Sequence, residues 1–135
     1  MPAPYIFVAA AILAVIPILV IFKVNMDKLK EDPSQRGKIQ TRFMIGIALS
    51  EAIPILLIVW GFMEMSAVSS MGELYIPGII IIFLMAFAVF FIFLQKNVGV
   101  EPKAKETINS FAMVSIPIVL AFPVIALVSL FMMLP

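Results

Sequence analysis

Four apolar stretches alternate with short polar ones along the chain. Residues 5–22, 74–94 and 111–134 carry no charged side chain, and 43–63 carry one, Glu51. Each is close to the ~20 residues that an α-helix needs to cross the hydrocarbon of a bilayer. The pattern therefore predicts an all-α membrane protein with four transmembrane helices. What remains between the helices is too short for a separate soluble domain. Composition agrees: 64% of the 135 residues are hydrophobic, against roughly 45–50% in soluble domains.

The basic residues set an orientation. Lys23, Lys28, Lys30, Arg36, Lys38 and Arg42 lie between the first two helices, and Lys96, Lys103 and Lys105 between the last two. Short cytoplasmic loops collect Lys and Arg, so the loops 23–42 and 95–110 are expected in the cytoplasm, with both termini and the connection 65–73 on the outer side. Tyr5, Trp60 and Tyr75 fall at the outer helix ends, where amphipathic rings prefer the headgroup level. The start of the chain has no positive residue before its apolar run, so the first helix is expected to be retained rather than cleaved as a signal. The many Met and Phe residues read as packing or lipid-facing positions. Cysteine and histidine are absent, which removes disulfide and thiolate chemistry. A net charge of +1 offers no basic face for nucleic acid.

The chain is also written twice. Shifted by 69 positions, Asp32-Pro33 falls on Glu101-Pro102, Arg36 on Lys105, and Ile39-Gln40-Thr41 on Ile108-Asn109-Ser110. The register continues into the membrane, where Ala52-Ile53-Pro54 meets Ala121-Phe122-Pro123. Matches among apolar residues mean little, but a loop that repeats acid, proline, base, amide and hydroxyl in order points to duplication. Two tandem helical hairpins follow, residues 1–66 and 67–135. The position matching Glu51 is Leu120, so the hairpin fold itself does not require an acid there.

An acidic side chain at a helix centre costs about 2.5–3.5 kcal/mol to insert, and such a group is a functional candidate by default. Its plain alternative is a neutral carboxyl hydrogen-bonded to a neighbouring helix. Ile47, Ala48, Pro54 and Ile55 surround Glu51 on its own helix, and no helix interior offers a base, so desolvation favours the neutral acid. Pro54 frees the carbonyl of Ser50, which could accept the proton of Glu51. Gly46 with Ser50, and Ala48 with Ala52, supply small residues for close helix approach. No nucleotide loop, metal-ligand cluster or activated nucleophile is present, so no active site, metal or cofactor is expected.

The stretch "RGKIQTRFMIGIALSEAIPILLIVWGFM", residues 36–63, resembles the loop end and second helix of the c subunit of F-type ATP synthases, the rotor-ring proteolipid. The tandem form with one acid lost is similar to the duplicated proteolipids of V-type ATPases. The resemblance implies that Glu51 binds the transported ion, with Ser50, Ala52 and Pro54 as supporting residues. Ala52 stands where sodium-binding members place a hydroxyl, which implies a proton, while Ser50 leaves sodium open. It implies a homo-oligomer in a bilayer, a stator membrane subunit, a soluble stalk and a bacterial cell membrane. Two differences from the family, a first helix with Ala9, Ala10, Ala11 and Ala14 but no glycine, and Glu31-Asp32-Pro33 at the loop tip, favour an alternative: a c-like paralogue acting as a small membrane scaffold or assembly factor.

Overall fold

A computed structural model describes residues 2–135. It contains five α-helices: α1 (Ala3–Glu31), α2 (Arg36–Ser50), α3 (Ala52–Glu64), α4 (Tyr75–Asn97) and α5 (Lys105–Met132). Helices α2 and α3 run as one span interrupted at Glu51, so four spans are long and apolar enough to cross a membrane. The protein is an all-α membrane protein.

Helix and apolar run do not coincide. The stretches 23–42 and 95–110, expected as loops, are mostly helix. α1 continues through Lys23, Asp27 and Lys28 to Glu31, and α2 begins at Arg36. A charge bars a residue from hydrocarbon without barring it from a helix. Lys23 Nζ meets Asp27 Oδ1 one turn on, at 2.9 Å, and Lys28 and Lys30 lie in the last turn of α1, where cations face the negative end of the helix dipole. At 29 residues and ~1.5 Å per residue, α1 is about 43 Å long, so it projects beyond a ~30 Å hydrocarbon core.

The true links are short. Asp32 and a 3-10 turn, Pro33–Gln35, join α1 to α2; Pro33 starts the turn because its fixed φ suits that position. A second 3-10 turn, Pro102–Ala104, precedes α5. Two residues past the end of α4, Gly99 takes φ +67°, a left-handed conformation that glycine adopts at little cost.

α1 is the hub. It packs against each of the other three spans, and α4 packs against α5, whereas α3 finds its main partner in α1. Ala10, Ala11 and Ala14 are buried, and these short side chains let α1 be covered on most sides. The second span buries a narrow stripe: Ile39, Phe43 and Ile47 on α2, then Pro54, Ile58 and Gly61 on α3. At Gly61 a Cβ would lie 2.8 Å from Phe7 Cζ, and at Gly46 3.2 Å from Ile21 Cγ2. The close approach expected from small residues is thus set by Gly46 and Gly61, while Ala48 and Ala52 are exposed.

Polar ties gather at the basic end. Lys23 donates to Gln95 at 2.9 Å and Lys30 to the Val98 carbonyl at 2.7 Å, joining α1 to the end of α4. Arg36 donates to Ser110, and Lys96 to Asn109, each at 2.7 Å. At the end that holds the termini, the connection is fixed by the Val68 amide donating to the Met133 carbonyl at 3.0 Å and by a capping box between Ser70 and Glu73.

Candidate functional site

Glu51 sits where the second span breaks. Pro54 has no N–H to give the Ser50 carbonyl, so the ladder loses one rung there. Glu51 takes φ −83° and ψ −6°, its amide still bonded to the Ile47 carbonyl at 3.0 Å and its carbonyl to the Ile55 amide at 2.9 Å. The span therefore loosens for one residue and resumes. Nine residues separate Glu51 from Arg42 and thirteen from Glu64, or about 14 Å and 20 Å along a helix. The acid is near mid-depth of its span.

Around the helix axis, Glu51 flanks the buried stripe between Ile47 and Pro54 and is half-exposed. Among the described residues its carboxyl has no hydrogen-bond partner and no ion pair; the Ser50 hydroxyl beside it is turned away, donating to the Ile47 carbonyl at 2.9 Å. Pro54 is buried, on the side packed against α1, and Ala52 is exposed. Hence the four candidate residues are adjacent in sequence but divided in role by position. Glu51 and Ala52 open to the surroundings of the chain, Pro54 sets the break, and Ser50 bonds to its own helix. Among the described residues, no group of three His, Cys, Asp or Glu could hold a metal ion.

The matching position, Leu120, is half-buried against the core, inside a helix that continues past both Pro117 and Pro123. Two features went unread in the sequence. Gly61 was one, although Ile47, Pro54 and Gly61 recur every seven residues on the buried stripe and could have flagged it. The other is an aromatic cluster contributed by all four spans. Phe22 stacks on Phe111 with centroids 5.6 Å apart, and Phe43 and Phe91 meet Phe22 edge-on at 6.4 Å and 6.5 Å.

Four apolar spans, with one acid at mid-depth flanking the packed face of the second, define a small membrane proteolipid. Over 56 residues the chain is 38% identical to ATP synthase subunit c of Alkalihalobacillus alcalophilus, covering 42% of this chain and 79% of that protein. It is 38% identical over 53 residues to ATP synthase subunit c of Halalkalibacterium halodurans, covering 39% and 76%. The chain belongs to the ATP synthase subunit c family, as a divergent member. No family model matches it, and no solved structure does.

Proposed function

We propose that the chain is a two-hairpin subunit of a proton-driven membrane rotor in a bacterial cell membrane, with Glu51 as the proton carrier. The observation that carries this reading is the state of Glu51: a lone mid-depth acid, half-exposed on the flank of its span, with no partner among the described residues. A structural acid is expected to be tied to a neighbouring helix. A carrier must keep its carboxyl free to take a proton from outside its own chain, hold it while neutral in hydrocarbon, and release it where water or a positive charge on a stator subunit stabilises the anion. The basic ends of the helices then lie in the cytoplasm, and the work on ATP belongs to a soluble complex coupled through a stalk.

The division into hairpins 1–66 and 67–135 is supported by two lengths. Since 56 residues make up 79% of one relative and 53 make up 76% of the other, each relative is about 70 residues long, close to the repeat of 69. The turns Pro33–Gln35 and Pro102–Ala104, and the starts of α2 and α5, also stand 69 residues apart. On this reading each chain carries one acid for two hairpins.

The test is carbodiimide labelling in native membranes, since the reagent modifies neutral carboxyls in apolar surroundings. Glu51 is expected to take the label, to lose it as the carboxyl ionises at high pH, and to be the labelled acid in preference to Glu64 and Glu73 outside the apolar runs. Glu51→Gln should abolish both labelling and proton transport by the assembled complex. If transport survives that substitution, Glu51 does not carry the proton, and the scaffold reading takes its place.

A further inference from the structure

A groove opens on the surface between α1 and α4. One wall is Ile16, Val20 and Val24, a row at every fourth residue of α1, and the other is Phe87 and Phe91, one turn apart on α4. Such rows follow one side of a helix. The three aliphatic residues are exposed. The aromatic wall is held in place: Phe87 and Phe91 stack with centroids 6.2 Å apart, and Phe91 meets the buried Phe22 edge-on at 6.5 Å. The groove encloses about 300 Å³. From Lys23 to Ile16 it follows seven residues of α1, about 10 Å, which is much of one leaflet of a ~30 Å hydrocarbon core.

The mouth of the groove is positive. Lys23, the first charge after the apolar run of α1, reaches across it to Gln95, one turn beyond Phe91, at 2.9 Å. Asp27 and Lys30 follow Lys23 at four and seven residues, so all three lie on one side of α1. Lys23 pairs with Asp27 at 2.9 Å. Among the described residues Lys30 has no ion-pair partner, and it donates to the neutral Val98 carbonyl at 2.7 Å. Two ammonium groups thus share one carboxylate. Each ammonium has three donors, of which Lys23 uses two and Lys30 one. Of the other charges at this end, Lys28 and Glu31 cancel, and α4 brings no acid, only Lys96, whose ammonium is turned to Asn109 on α5. A surplus of positive charge therefore stands at the open end of an apolar groove.

We propose that this groove binds one anionic phospholipid, with an acyl chain lying between Val20 and Phe87 and the phosphate meeting Lys23 and Lys30. The charges are complementary, and one molecule supplies both parts in the right order. Its tail fits walls that are apolar throughout, and its headgroup lies at the level where the apolar run ends. A free phosphate ion would use the charge and leave the groove empty. A zwitterionic lipid brings an ammonium of its own, which the lysines repel. The lipid lies between α1 and α4 and so ties the first span to the third. The inference goes beyond the proton-carrier reading and uses neither Glu51 nor the rotor.

The test is native mass spectrometry of the full chain, reconstituted in equal amounts of phosphatidylglycerol and phosphatidylcholine with the same acyl chains and released in mild detergent. One phosphatidylglycerol per chain is expected to stay bound, in preference to phosphatidylcholine. A basic side chain contributes about five-fold to affinity for anionic lipid, so Lys23→Gln should lower the preference by about that factor. Lys28→Gln makes the same change of charge about 140° around the helix and should leave the preference as it is. Val20→Phe should fill the groove and release the lipid with both lysines in place, while thermal unfolding stays that of the parent chain. Equal retention of the two lipids would overturn the proposal. So would an equal loss in K23Q and K28Q, which marks a diffuse attraction of the basic end, or a lipid that survives V20F, which places it outside the groove. A chain that retains no lipid, its groove covered by a neighbouring copy, overturns it as well. None of these outcomes bears on carbodiimide labelling of Glu51, which tests the proton carrier separately.

Discussion

Asp32 stands one residue before a proline, Pro33, and Glu51 three residues before Pro54, and their surroundings treat them in opposite ways. Asp32 is exposed and accepts hydrogen bonds from both the amide and the hydroxyl of Ser34. The Ser34 hydroxyl, foremost, holds its carboxyl below the usual carboxylate range. A carboxyl lowered in the folded state supports the turn fully above the ordinary Asp range, and that support is lost as pH falls through the lowered value. Ser34→Ala is expected to move the Asp32 midpoint back up towards an ordinary aspartate, as read by NMR titration of the protein in detergent. An unmoved midpoint would mean that Ser34 is not the cause. Among the described residues, Glu51 has no such donor. Its importance was legible because one acid interrupts an otherwise charge-free run; the side it faces was not. Spacing places residue 51 near the buried stripe of Ile47 and Pro54, but the loosened turn decides whether it lies on the stripe or beside it.

At the scale of elements, the spans were legible from their apolar runs, and their ends were not. Hydrophobicity reports where hydrocarbon stops, while capping residues and turn chemistry decide where a helix stops. Lys23 to Glu31 therefore stayed helical beyond the apolar run, and the break came at Asp32-Pro33. Which residues bring two helices together was equally hidden, since any small residue qualifies until a partner is known. Gly61 supplies a test. Its missing Cβ makes room for the ring of Phe7, which is fully buried and so cannot swing clear. Gly61→Ala should overpack the contact at a cost of about 1–3 kcal/mol. Gly78, whose nearest neighbour to an added Cβ is Leu130 Cδ1 at 4.0 Å, is the control. There alanine should be neutral or gain about 0.5–1 kcal/mol from lost chain entropy. Thermal unfolding of both variants in one detergent gives the comparison, and equal melting temperatures would show that the glycine does not set the approach of α3 to α1.

For the whole molecule, the repeat could be read in the loops, but the way the two halves lock could not, because phenylalanines are common in every span and only the fold selects four of them. Phe22, Phe43, Phe91 and Phe111 come from α1, α2, α4 and α5 and converge at the basic end, close to the Arg36–Ser110 bond. Phe22 and Phe91 stand 69 positions apart, the spacing at which the loops repeat, so the two-hairpin reading puts an aromatic at the same level of each half. Phe22 touches all three of the others, and its stacked and edge-on contacts each add to packing. Between lipid and protein interior there is little gain from leaving water, so helix association depends on such close packing and on interhelical hydrogen bonds. Removing a buried Phe costs about 3–5 kcal/mol in a close-packed core. With the water-transfer part reduced, the lower end is expected here, about 3 kcal/mol for Phe22→Ala and less for Phe22→Leu. Unfolding in a graded series of detergents measures it. The loss should be accompanied by protease cleavage in the links 32–35 and 98–104, since the same cluster holds the helices on either side of both. Destabilisation without new cleavage there would mean that the polar ties alone keep the basic end closed.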